Sequence, residues 1–269
     1  VKDEPQHVYQ GKVTCKLLEV MGVSYNILDA DTTEEMLDTY FAKAMECFQQ
    51  QKQYAVVIKK GTFEPSESFQ WENGHSLGRE EALGCILKEL YEDCYFVSTT
   101  GKISRELYEQ SNLIYGNHDK IFMTVGGMGH ASMIAFGAAQ ADTDRRIVCV
   151  DGDGAVLMHM GALAIIAAQA PENMIHIVIN NAAHESVGAM PTGYSGHSYA
   201  NIARECGYQT TKTVKTKEEL TEALRAAKAE KKLCLIEVLV SLDSRADLGR
   251  PKESARKNRE HFMEKYNER

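Results

Sequence analysis

The chain has 269 residues, is 43% hydrophobic and 25% charged, and carries a net charge of −8. That length can bury a large core, and an acidic chain with no basic block is a poor binder of nucleic acid or of a membrane surface. Its seven cysteines are scattered and none forms a CxxC pair, which argues against a disulfide frame or a zinc site and for reduced thiols in a cytoplasmic protein.

Residues 12–20, KVTCKLLEV, run to Gly22 and a short strand, VSYNIL (23–28). Thr32 or Thr33 can cap a helix over 34–50, with Glu34 and Glu35 in its first turn. YAVVIKK (54–60) reads as a strand that ends at Gly61. The polar stretch that follows, up to Leu77, reads as a linker. From Gly78 the pattern alternates. The predicted helices lie at GREEALGCILKELY, ISRELYEQS, 132–139, 155–169, near 199–206 and over 217–231. The predicted strands lie at YFVSTT (95–100), IFMTV (121–125), RIVCV (146–150), MIHIVI (174–179), near 208–214 and at LCLIEVLV (233–240). A charged tail closes the chain. No apolar run reaches the length of a membrane span, and no signal peptide is visible. The expected fold class is α/β, a parallel sheet with helices on both faces. The expected division is 1–64, a 65–77 linker, 78–241 and a 242–269 tail.

In such sheets ligands bind at the carboxyl ends of the strands. Four loops of small or amide residues fall there: STTGK (98–102), GGMGH (126–130), DGDGA (151–155) and NNAAH (180–184). Strand, glycine turn and helix make a phosphate cradle, yet the centre of the third turn is Asp153. A divalent cation resolves the conflict. Strands 146–150 and 174–179 are expected sheet neighbours, which sets Asp153 beside the Asn pair. Oxygen ligands of that kind suit Mg²⁺, which in turn binds phosphates finished by the N–H groups of Gly154 and Ala155. Taken alone, the turn fits solvated residues and helix caps equally well, and Asp151 is assigned only that role.

Gly152-Asp153-Gly154, then the 25 residues 155–179, then Asn180-Asn181, resembles the thiamin diphosphate motif. The resemblance implies metal ligation by Asp153, Asn181 and the carbonyl of Ala183, a position where the family often has Gly. It implies that Met128 supports the bent cofactor, that the Gly126 carbonyl, beside Gly127, accepts from the aminopyrimidine, and that Thr100, Gly101 and Lys102 contact the diphosphate with Gly152, Gly154 and Ala155. The strings STTGKISRELYE, TVGGMGHASMIAFGAA, NNAAHESVGAMPTG and DLGRP resemble the phosphonopyruvate decarboxylase family, whose close relatives are sulfopyruvate decarboxylases. GKVTCKLLEVMGVSYNIL and AVVIKKGTFE resemble the end of that family's pyrimidine-binding domain, so the resemblance spans nearly the whole chain.

The implied fold is the thiamin diphosphate-binding fold, preceded by the C-terminal remnant of a second α/β domain. The implied reaction is Mg²⁺- and thiamin diphosphate-dependent loss of CO₂ from 3-phosphonopyruvate, giving phosphonoacetaldehyde. The substrate is a small anionic 2-oxo acid, so donors and cations are needed. His130, His184 and Ser186 are the candidate catalytic residues, and Arg105, Arg245 and Arg250 the candidate substrate anchors. His159 and His176 are assigned to structure. The family also uses a Glu early in the pyrimidine-binding domain to start the chemistry. Glu4, Glu19 and Glu34 stand in another context, and the chain begins at Val1. The expectation is therefore a fragment or processed chain, nearly inactive alone, whose complete form is a homodimer or homotetramer. The competing readings are a sulfopyruvate or other 2-oxo acid decarboxylase, a Rossmann-like nucleotide-binding module, and an inactive fragment.

Overall fold

An all-parallel sheet has two faces to cover, so its strands carry apolar side chains in both directions. The computed structural model describes residues 5–64, 71–193, 196–242 and 244–268, in two units, Val1–Gln70 and Trp71–Arg269. The first unit holds α1 (Pro5–Val20), β1 (Ser24–Leu28), α2 (Glu34–Gln49) and β2 (Tyr54–Ile58), with β1 and β2 parallel from Ser24↔Tyr54 to Leu28↔Ile58. Thr33 is the cap of α2, its hydroxyl accepting the Met36 N–H at 3.3 Å. Thr32 is committed elsewhere, to the N–H of Asp29 at 3.0 Å. Helix α1 begins before the apolar stretch read from the sequence, and it leaves Tyr9, Leu17 and Val20 exposed.

The second unit contains α3 (Arg79–Leu90), β3 (Cys94–Ser98), α4 (Lys102–Tyr115), β4 (Ile121–Met123), α5 (Ala131–Ala141), β5 (Arg146–Gly152), α6 (Asp153–Met158) and α7 (Gly161–Gln169). Then come β6 (Met174–Asn180), β7 (Ala183–His184), a 3₁₀ turn at Glu185–Val187, β8 (Met190–Pro191), α8 (Tyr199–Cys206), β9 (Thr210–Val214), α9 (Lys217–Ala229), β10 (Cys234–Leu239) and α10 (Ala255–Asn267). Six strands form one parallel sheet in the order β4-β3-β5-β6-β10-β9, and β5 and β6 are indeed neighbours.

Side-chain alternation along the strands builds two cores. Val148 and Val150 of β5, with Ile175, Ile177 and Ile179 of β6, pack under α3, α4 and α9 through Leu83, Leu87, Leu107, Leu220 and Leu224. Ile147 and Cys149, with Met174 and Val178, pack on the other face against Ala135 of α5, Val156 of α6, Ile166 of α7 and Tyr199 of α8. The chain turns back at β3, which has β4 on one side and β5 on the other. The carboxyl ends of β3 and β5 therefore flank the crevice in which open α/β sheets bind ligands.

Three boundaries differ from the sequence reading. The helix expected over 155–169 is two helices, α6 and α7, broken at His159 (φ −137°, ψ 45°). Gly161 weakens a helix there, and the His159 ring is drawn against Gly129, its Cδ2 2.5 Å from where a Cβ on that glycine would stand. Of the expected 65–77 linker, residues 65–70 lie outside the described residues. Residues 71–77 belong to the second unit: the Trp71 indole donates to the Ala189 carbonyl at 2.8 Å and Leu77 is buried. The segment read as a charged tail carries α10, which packs Phe262 against Tyr95 and Phe122. Its buried Asn258 accepts the Met123 N–H at 2.9 Å and donates to the Ile121 carbonyl at 2.9 Å, which completes the outer edge of β4.

Asn258→Ala leaves both of those backbone groups buried and unpaired, at about 1–3 kcal/mol each. The expected loss in denaturant unfolding is therefore several kcal/mol, against a change near zero for the exposed Lys257→Ala; equal, small losses would show that α10 is not part of the fold's support.

Candidate functional site

Strand β5 ends on Gly152 and α6 starts on the next residue, so the turn is too short to carry Asp153 out to solvent. Its side chain is only 5% exposed. Oδ1 accepts the Gly154 N–H at 2.8 Å, and Oδ2 has no hydrogen-bond partner among the described residues. Burial pushes this carboxyl up to about 6. The N–H groups of Gly154, Ala182 and Ala183 and the nearby His184 hold it down in part, although the Ala182 and Ala183 N–H groups donate to Asn180 and Asn181.

One pocket collects three of the four loops and the tip of the fourth. Thr99, Thr100, Gly101, Lys102 and Ile103 line it after β3, Met128 after β4, Gly152, Asp153, Gly154 and Ala155 after β5, and Asn181, Ala183, His184, Glu185 and Ser186 after β6. Gly101 (φ 93°, ψ −149°) holds a backbone open only to glycine and starts α4, whose N-terminus joins that of α6 at the pocket. Gly154 is bare because the His184 ring lies over it: a Cβ there would stand 2.5 Å from the ring Cε1.

The cations of the pocket are spoken for. Arg79, buried at the start of α3, makes a bidentate pair with Glu106 (Nε–Oε2 2.8 Å, Nη2–Oε1 2.6 Å) and a second pair with Glu185. Lys102 lies 3.6 Å from Glu185 and donates to the Ser244 hydroxyl at 2.6 Å. Glu185 also accepts from Nδ2 of Asn181 at 2.9 Å, which turns Asn181 Oδ1 to the Ala183 side of the turn. Two cations face two carboxylates, and Asp153 is left over as an unpaired negative charge. Buried charge of that kind needs a partner, and a divalent cation bound by oxygen is the partner its neighbours suit. The orphaned Asp153 Oδ2, Asn181 Oδ1 and the Ala183 carbonyl supply such oxygens, so the residues present fit a metal-bridged diphosphate.

Comparison with known proteins agrees with this geometry. Residues 107–238 match the family model "Thiamine pyrophosphate enzyme, C-terminal TPP binding domain". The chain is 34% identical to the phosphonopyruvate decarboxylase of Streptomyces viridochromogenes, over 93% of this chain and 66% of that one. It is 34% identical to the phosphonopyruvate decarboxylase of Streptomyces hygroscopicus, over 98% of this chain and 69% of that one. The chain belongs to the phosphonopyruvate decarboxylase family. It spans about two thirds of the length of these two relatives. It is also 30% identical to the sulfopyruvate decarboxylase subunit beta of Methanococcus maripaludis, over 54% of this chain and 75% of that one.

Within this family member, the other residues singled out by sequence fall in several places. Gly126, Gly127 and His130 are not among the pocket's lining; the His130 ring lies 4.4 Å from that of His159, tilted by 55°, and both histidines are exposed. Arg105 and Arg250 do not line the pocket. Arg245 corrects the substrate-anchor reading most directly, because its guanidinium is taken up by Glu80, Glu109 and Asp247. Asp151 is not a solvated turn residue: it is 1% exposed, accepts the Gly152 N–H at 3.0 Å and faces His176 at 3.6 Å. His176, assigned to structure from the sequence, is fully buried and reaches the Tyr208 hydroxyl at 3.2 Å. The sequence reading missed Arg79 and Glu185, since an Arg before two Glu at a helix start, and a Glu in a loop, both look solvated.

The raised Asp153 carboxyl yields a signed prediction. Its ordinary value is 3.8 and its folded value about 6, so folding pays a penalty that opens as pH rises past 3.8 and is complete above about 6. A shift of that size is worth roughly 3 kcal/mol. Asp153→Asn is therefore expected to raise the melting temperature of the ligand-free protein at pH 7.5, with the gain gone by pH 4, while abolishing metal-dependent cofactor uptake in calorimetry. A gain independent of pH would contradict the burial argument.

Proposed function

We propose that this chain provides the diphosphate half of a thiamin diphosphate- and Mg²⁺-dependent decarboxylase acting on 3-phosphonopyruvate. The observation that carries the reading is the orphaned, buried Asp153 carboxylate oxygen facing Asn181 and Ala183 at the carboxyl edge of the sheet. In this reading Asp153, Asn181 and the Ala183 carbonyl hold Mg²⁺. Thr100, Gly101, Lys102, Gly152 and the N–H groups of Gly154 and Ala155 receive the diphosphate. Met128, whose methyl lies 3.5 Å from a Cβ placed on Gly154, forms an apolar floor with Ile103 and Ile179. When bound, thiamin diphosphate supplies the electron sink for loss of CO₂ from a 2-oxo acid.

His184 and Ser186 sit at the pocket, with a ring nitrogen and a hydroxyl to offer to a substrate oxygen or a proton in transit. Gly126, Gly127 and His130 belong to the loop assigned to the cofactor's other end. The domain reading follows the same line: residues 1–64 as the close of a pyrimidine-binding domain and the second unit as the diphosphate-binding domain. The relatives named sulfopyruvate decarboxylase subunit beta support an assembly in which this half works beside another polypeptide. A homodimer or homotetramer of the complete protein is the form we favour. Phosphonopyruvate is favoured over sulfopyruvate by the 34% identity and nearly full coverage of the two Streptomyces relatives.

Titration with thiamin diphosphate is expected to give binding only when Mg²⁺ is present. Metal-independent binding of a dinucleotide would instead favour a Rossmann-type module, and no binding of either an inert fragment. With turnover reconstituted, kcat/KM is expected to be higher for phosphonopyruvate than for sulfopyruvate; the reverse order would move the substrate to the sulfonate.

A further inference from the structure

A fully buried carboxylate that takes no part in the pocket lies one strand away from it. Glu237, in the middle of β10, is 0% exposed. Its Oε2 accepts from the Ser198 and Thr213 hydroxyls and from the Ala200 N–H at 3.3 Å, and its Oε1 accepts from Nδ2 of Asn180 at 2.9 Å. A carboxylate only accepts, so Asn180 must turn its NH₂ to it and its carbonyl away. That carbonyl, Oδ1, accepts the Ala182 N–H at 3.0 Å. Ala182 has φ 58°, a left-handed conformation that a non-glycine residue adopts only when its surroundings impose it. The turn so fixed carries Asn181 and Ala183, which line the pocket together with Asp153.

We infer that Glu237 is a positioning residue for the metal site: by setting the amide orientation of Asn180 it locks the Asn180–Ala183 turn in its ligating form. The inference rests on the metal-site reading above and extends it to a residue that touches neither metal nor cofactor. Burying a carboxylate in a sheet is costly, and Thr213 and Ser198 could be served by a neutral acceptor. What a neutral amide cannot do is accept on both sides. In Glu237→Gln the oxygen stays with the Ala200 N–H and the two hydroxyls, so the NH₂ meets the Asn180 NH₂. Asn180 then flips and sets a donor against the Ala182 N–H. Asn180→Asp on the same background pairs donor with acceptor again at both contacts, with the polarity reversed at residue 237 and unchanged at the Ala182 N–H.

The test measures hydrogen exchange of the 180–183 turn and Mn²⁺ affinity, with thiamin diphosphate present, in four proteins: wild type, Glu237→Gln, Glu237→Gln/Asn180→Asp, and Thr213→Val. Thr213→Val removes a different hydrogen bond from the same carboxylate and reports the purely structural cost. Loss of one such bond is expected to speed Ala182 exchange and weaken Mn²⁺ about tenfold in Glu237→Gln. The double variant is expected to recover both, and Thr213→Val to keep both while melting earlier. Wild-type exchange and affinity in Glu237→Gln, or a folded double variant without recovery, would overturn the inference. Failure of wild type to take up Mn²⁺ would remove the metal-site reading instead, and the exchange of Ala182 would then decide the role of Glu237 by itself.

Discussion

Asp153 Oδ2, a carboxylate oxygen with no hydrogen-bond partner among the described residues, sets the terms for the pocket around it. A turn of minimum length between β5 and α6 keeps it buried, and desolvation raises the carboxyl to about 6. A chain can tolerate such a group when something that binds the folded form repays it. At the end of the neighbouring strand, β6, stand two consecutive asparagines, each with its NH₂ given to a carboxylate and its carbonyl kept in the turn. Asn181 gives its NH₂ to Glu185 and Asn180 gives its own to Glu237. Both amides thereby have a fixed sense before any ligand arrives, which lowers the ordering cost of binding.

The cations of the pocket are balanced by carboxylates from elsewhere in the chain. Arg79 is matched by Glu106 and Glu185, and Lys102 shares Glu185. The pocket's side-chain cations are thus neutralised by carboxylates, and Asp153 stands outside that balance. In the proposed reading, a diphosphate would therefore rely on backbone N–H groups and a divalent ion rather than on loose lysines or arginines.

The alternation of apolar strands and helices made the parallel sheet legible from sequence, and the spacing from Gly152 to Asn181 made it legible that the two loops meet, as they do in one pocket. Side-chain type at strand ends survives translation into space because the sheet fixes where strand ends go. What the sequence hid depended on partners distant along the chain. Arg79 and Glu185 are 106 residues apart, and nothing local marks either as buried. Glu237 sits in the run LCLIEVLV, where alternation says only that it points to one face. Arg245 looked like an anion anchor because an arginine in a loop carries no trace of the three carboxylates that surround it. The tail looked solvated because α10 is charged on most of its surface, and its hold on the sheet is concentrated in Asn258 and Phe262.

The oxygen that balances the pocket's charge also orients one of its amides. Glu185 compensates Arg79 and holds Nδ2 of Asn181 with a single oxygen, Oε2. One acceptor thus serves two donors, so the neutralisation of Arg79 and the sense of the Asn181 amide are not independent. Without Glu185, Arg79 would keep only Glu106, and the Asn181 amide would lose the bond that keeps its Oδ1 on the Ala183 N–H. An acidic residue inside this pocket therefore has two structural roles, and both act on groups that line it.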